Sequence, residues 1–135
     1  MSLRIAAAIL VLSAGSAFAP ALGQGRDLGT GAMGRPGDYS FSGGPAVYSH
    51  VCQACHMPDG KGAVGAGAFP SLVANPKLEA AAYPVALILN GSKAMLPLGN
   101  LLNDQQIADV VNYIRSNFGN RYRDKITAAD VKAQR

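Results

Sequence analysis

The stretch His50–His56, written HVCQACH, does most to limit what this chain can become. It gathers both cysteines and both histidines of a 135-residue sequence into seven positions. A structural disulfide there has little purpose, because Cys52 and Cys55 close a loop too short to remove much chain entropy. Zinc takes four converging ligands, usually from two separated pairs, and the sequence has no second pair. A thioredoxin-like dithiol sits at a helix N-terminus within a βαβ setting. Here the cysteines close an apparent helix, and no strand pattern precedes them.

The remaining reading is C-x-x-C-H, the attachment signature of c-type haem. Two thiols one helical turn apart can each add to one haem vinyl group. The histidine directly after the second thiol is then carried under the iron as an axial ligand. This consumes Cys52 and Cys55 and makes His56 an iron ligand, with one covalent haem c per chain.

Such attachment takes place outside the cytoplasm, and the N-terminus agrees. MSLR is a short basic start, followed by the apolar run IAAAILVLSAGSAFA ending in small residues. That is the layout of a secretory signal peptide. An A-x-A site ends at Ala19, but Pro20 would follow the cut, so cleavage is expected near Gly23. The competing reading is an uncleaved anchor, yet residues 5–22 barely reach the ~20 residues of a membrane span. The expectation is a periplasmic protein without a stable membrane span.

Beyond the signal, residues 24–43 are glycine-rich and aperiodic, the pattern of a flexible arm. A helix is expected to lead from Pro45 into the cysteine cluster, since proline suits a first turn. Residues 57–76 are dense in glycine and proline and are expected as irregular loop without strands. Short helices are expected over 77–82 and 84–90, with Gly91 ending the second. The clearest helix follows Asn103, which pairs with Gln106 in a capping box. Ile107, Val110, Val111, Ile114 and Phe118 form its apolar stripe, and Gly119 stops it. Residues 120–135 read as a basic tail carrying one short helix near Thr127, Asp130 and Val131. The fold class expected is all-α, with short helices and long loops. Loops this long in so small a domain usually wrap something, and the bound haem would complete the core.

The stretches GPAVYSHVCQACHMPDGKG, FPSL, SKAMLP and LLNDQQIADVVNYIRSNFGN together resemble the small class I c-type cytochromes, over residues 44–119. The likeness is greatest to cytochrome subunits or partners of bacterial periplasmic alcohol and sugar dehydrogenases. It implies Met95 as the second axial ligand. Of the other methionines, Met1 lies in the signal, Met33 in the arm, and Met57 beside His56. The bland reading of Met95 is a loop methionine filling a gap. The resemblance also implies that the carbonyl of Pro70 accepts the Nδ1–H of His56, and that Gly44 and Tyr48 let the first helix cross the last near Tyr113. The chain departs from the family pattern at Leu96, which intervenes between Met95 and Pro97.

On this reading the protein is not an enzyme but a mover of single electrons. The donor would be a periplasmic dehydrogenase, and the acceptor an oxidase or another cytochrome. The alternatives are a tightly bound dehydrogenase subunit and a haem enzyme or gas-binding protein with an open iron site. Nucleic acid is not expected as a partner, because the cations are scattered and lack interleaved aromatics. Lys61, Lys77 and Lys93 either ring the haem edge or are ordinary solvated charges. His50 is set aside as too close to Cys52 to reach the opposite haem face.

Overall fold

The structure is a computed structural model that describes residues 39–65 and 67–135. The expected signal peptide (1–23), most of the expected arm, Met1 and Met33 lie outside the described residues. The chain opens with α1 (Gly44–Val47), runs through a π-helical turn (Tyr48–Cys52) and continues as α2 (Gln53–His56). Pro45 sits in the first turn, where its missing N–H costs nothing. α2 ends because Met57 adopts a positive φ of 62°. That conformation is costly for a residue with a Cβ. It is pinned by its carbonyl, which accepts the Tyr48 hydroxyl at 2.7 Å and the Gly60 N–H at 3.1 Å.

Residues 57–76 are not wholly irregular. β1 (Ala63–Val64) pairs antiparallel with β2 (Ala68–Phe69) in the register Ala63 to Phe69 and Val64 to Ala68. The all-α expectation is corrected by this small sheet. Strands of two residues cannot display the alternation by which a strand is recognised. A 3-10 turn (Pro76–Leu78), capped by the Asn75 side chain, replaces the helix expected over 77–82. α3 (Ala82–Asn90) starts two residues earlier than expected and ends at Gly91, φ 70°.

α4 (Asp104–Ser116) carries the expected capping box, with Asn103 and Gln106 bonded reciprocally at 2.9 and 3.1 Å. Its apolar stripe buries Ile107, Val110, Val111 and Ile114 against Val47, Val85 and Leu102. α1 crosses α4 so closely that a Cβ on Gly44 would collide with the Asp109 carbonyl and the Tyr113 Cβ. Tyr48 packs on Tyr113 and Phe118 beside this crossing, at 5.6 and 4.8 Å between ring centroids.

The last sixteen residues are part of the core rather than an appendage. α5 (Ala128–Lys132) is capped by a reciprocal Thr127–Asp130 pair, and Val131 is 0% exposed. Val131, which the sequence places in a basic tail, is thus committed within this chain. Arg115, also 0% exposed, ties the segment to the core. Its guanidinium donates to the carbonyls of Leu78, Glu79 and Asp124 and to the Asp124 carboxylate. A buried charge is tolerable only when every donor is so satisfied. Arg135 completes the strap by reaching the Asp104 carboxylate and the carbonyls of Gly99 and Leu102.

Candidate haem site

Cys52, Cys55 and His56 follow one another around the end of the first helical run, with Cys52 closing the π-helical turn. A π turn inserts an extra residue into the helical register, and such turns recur where a helix carries function. Neither cysteine is in a disulfide; Cys52 is half-buried and Cys55 exposed. Burial pushes the Cys52 thiol up to about 12, with a further contribution from neighbouring Cys55.

His56 Nδ1 lies 3.0 Å from the carbonyl oxygen of Pro70. A carbonyl only accepts, so Nδ1 carries the proton and the lone pair of the ring is left on Nε2. This is how a metal-ligating imidazole is ordinarily oriented. The contact depends on Gly62, which the sequence reading did not single out. Gly62 has φ 68°, and a Cβ there would strike the carbonyl of Phe69 and lie 2.9 Å from the Pro70 carbonyl. Its own N–H donates to the His56 carbonyl at 3.0 Å. One small residue thus ties the end of α2 to the strand that presents Pro70. Its only signal in the sequence is the second glycine of DGKG.

Met95 sits half-buried against the core in the connection after α3. The backbone there folds into a tight reversal, in which Ser92 and Met95 exchange N–H to carbonyl bonds of 3.0 and 2.9 Å. Gly91 lets the chain turn beneath it, since a Cβ would meet the Met95 carbonyl and the Pro97 nitrogen. Leu96, the departure from the expected Met-Pro pattern, is 63% exposed. It therefore adds surface rather than filling the core.

The remaining candidates are placed differently. His50 is exposed and its ring stacks on Phe41 at 5.0 Å. Lys61 pairs with Asp59 at 2.9 Å, while Lys77 and Lys93 are exposed. Among the described residues no helix is long and apolar enough to cross a membrane. Tyr48 is a firm neutral donor to Met57: burial pushes its phenol up to about 12, assisted by Cys52, Tyr113 and Asp59. Gln106 does more than its capping box requires. Its side-chain amide also donates to the carbonyls of Tyr39 and Phe41, at 3.0 Å each, and anchors the segment entering α1.

The donor set fits a c-type haem by its chemistry: two thiols, an imidazole with Nε2 available, and a thioether on a separate loop. Comparison with known proteins points the same way. The chain is 32% identical over 134 residues to the alcohol dehydrogenase (quinone) cytochrome c subunit of Gluconobacter oxydans (strain 621H), covering 86% of this chain and 27% of that protein. It is 36% identical to the gluconate 2-dehydrogenase cytochrome c subunit of Pantoea cypripedii, over 68% of this chain and 24% of the relative. For the fructose dehydrogenase cytochrome subunit of Gluconobacter japonicus the identity is 31%, over 64% and 24% respectively. The chain spans about a quarter of the length of these relatives. The expected likeness to dehydrogenase cytochrome subunits is borne out. Residues 40–114 match the family described as cytochrome c oxidase, cbb3-type, subunit III. With more than half of its residues inside that match, the chain belongs to this family of cytochrome c domains.

Proposed function

We infer that this chain is a periplasmic electron-transfer protein, not itself an enzyme, that holds one haem c. In this reading Cys52 and Cys55 would form the two thioethers, His56 and Met95 would hold the iron, and Pro70 would hold the His56 ring. When bound, the haem supplies a one-electron couple, and methionine ligation with burial raises its potential. The protein's own residues do the positioning. Gly62 brings Pro70 to His56 Nδ1, Gly91 allows the reversal that presents Met95, and Tyr48 ties the start of the helical run to its end. The observation that carries the reading is the 3.0 Å contact from His56 Nδ1 to the Pro70 carbonyl, one residue after the second cysteine.

The proposed organisation is a cleaved signal over residues 1–23, an arm over 24–43, the cytochrome domain over 44–119 and a basic strap over 120–135. The electron donor would be a periplasmic dehydrogenase, and the acceptor an oxidase or another cytochrome. A tightly held dehydrogenase subunit is the second reading, favoured by the names of the relatives, each the cytochrome subunit of a dehydrogenase.

Absorption spectroscopy of protein exported by a haem-attaching host tests the central reading. Expected are one covalent haem per chain and, when oxidised, the weak long-wavelength band of iron–thioether bonding. A high-spin spectrum without that band would instead assign an open iron site. Protein lacking haem would end the proposal.

A further inference from the structure

The last sixteen residues hold five of the chain's twelve cations and two of its eight acids. The structure gives these charges an order that the sequence does not. Asn120 is buried and Tyr122 and Ile126 pack partly into the core, while Arg121, Arg123 and Lys125 between them are exposed. Such alternation is the two-residue period of extended backbone, broken at Asp124, whose side chain is 72% exposed. The backbone carrying it is fixed along α4. Tyr122 N–H donates to the Arg115 carbonyl at 3.0 Å, and the Asn112 amide exchanges bonds of 2.8 and 3.0 Å with Ile126.

The one acid within this row, Asp124, does not offset it. Both carboxylate oxygens lie 2.8 Å from Nη2 of the buried Arg115, so that pair is neutral as a unit. Among the described residues no salt bridge involves Arg121, Arg123 or Lys125. Three uncompensated cations therefore stand on a pre-ordered segment, and ordering that is already in place is not charged against binding.

We propose that Arg121, Arg123 and Lys125 form a docking surface for an acidic protein face, one rich in aspartate and glutamate carboxylates. The surface deepens the electron-transfer reading by naming the chemistry of the partner, and it rests on that reading. A lipid surface fits less well, because membrane-binding clusters usually muster about four to eight cations beside an apolar wedge. Here the apolar neighbours Tyr122 and Ile126 are turned toward the core. Electrostatic docking of this kind accelerates encounter and weakens as salt shortens the screening length to about 10 Å at 0.1 M.

The test uses full-length haem-loaded protein, with poly-L-glutamate as the acidic probe. Vesicles of phosphatidylglycerol and phosphatidylcholine in equal parts serve as the lipid arm. The triple variant R121Q/R123Q/K125Q should bind polyglutamate about tenfold more weakly, the product of three exposed pairs each contributing roughly twofold. R121K/R123K, which keeps the charge, should bind as the native protein does. K61Q/K77Q/K93Q removes the same net charge outside the strap and should lose less than about twofold. Equal losses in the two triple variants would reduce the effect to net charge and overturn the proposal. Native protein that sediments with the vesicles through the strap cations would also overturn it, in favour of lipid. The haem spectrum of each variant reports separately on the electron-transfer reading, so either idea can fail alone.

Discussion

Two regions of this small molecule are built on different principles. In the haem-site region, Cys55 is exposed, Val64 is 93% exposed and Leu96 is 63% exposed. The loops there are held by isolated backbone contacts such as Gly62 to His56 and Ser92 to Met95. In the other region, α4 and the strap bury Val131 and Arg115 completely and satisfy the guanidinium with carbonyls and a carboxylate. This second region is completed by its own side chains. In the proposed reading, the other presents Cys52, Cys55, His56 and Met95 to the haem. A domain this small has little apolar area to spare, so the haem-site region should depend on that group and the strap region should not.

The largest break in this contrast comes from removing the haem. C52A/C55A should abolish attachment and with it the cooperative unfolding of the loops around Cys52, His56 and Met95. Amide exchange should then approach open-chain rates in residues 57–75 and 91–98, while α4 stays the most protected segment. Apoprotein with a fully native circular dichroism spectrum and uniform protection would show that the core never needed the haem.

A smaller but still large effect is expected in the strap region. Arg115→Met removes the donors for three carbonyls and leaves them buried. Loss of one member of such a network costs about 3 kcal/mol. Denaturant titration of the haem-loaded variant should show this as a lowered midpoint, with the haem spectrum unchanged. A loss below about 1 kcal/mol would mean that the strap is held by Val131 and its neighbours rather than by the guanidinium.

Met95→Ala sharpens the comparison from the ligand side. Stability should fall by about 1–2 kcal/mol, less than for a fully buried methionine. The spectrum should change far more than the stability. Ferrous protein should bind carbon monoxide, and the reduction potential should drop. An unchanged spectrum would transfer the ligand role to another residue.

The smallest expected effect is at Tyr48. Its phenol is held up to about 12 against an ordinary value of 10.0, chiefly by burial. The folded state therefore keeps its proton where the unfolded chain has lost it. Stability should be unaffected by this group below pH 10.0 and should fall as pH rises from 10.0 toward about 12. Tyr48→Phe should cost about 1 kcal/mol at neutral pH through the lost bond to Met57. It should also flatten the alkaline fall, as measured by thermal melts across that window. A variant with the same alkaline slope would place the responsible titration elsewhere.

The C-x-x-C-H grouping behind the proposed haem site is legible in the sequence because it is local. Cys52, Cys55 and His56 lie within five residues, and a helical turn is enough to group them. Pro70 was expected through resemblance and sits by His56, but nothing local revealed that Gly62 is what allows the approach. The short sheet at Ala63–Phe69 was missed because two-residue strands have no period to read. The strap was misjudged for a different reason. Val131 was read only as part of a short helix in a basic tail and Arg115 not at all, whereas burial is set by what arrives from elsewhere.

What the sequence alone determined is therefore whatever closes within a few residues. The Asn103–Gln106 capping box, the Thr127–Asp130 pair and the halt of α3 at Gly91 are all of this kind. Each satisfies backbone groups that every helix end leaves open, so residue type and spacing suffice. Tertiary structure decided the contacts between distant segments: Gln106 with Tyr39 and Phe41, Arg115 with Leu78 and Glu79, and Asn120 with Leu72 and Asn75. A polar side chain can satisfy its hydrogen bonds in water as well as inside the protein. Only the packing that excludes water from Gln106, Arg115 and Asn120 makes their partners specific.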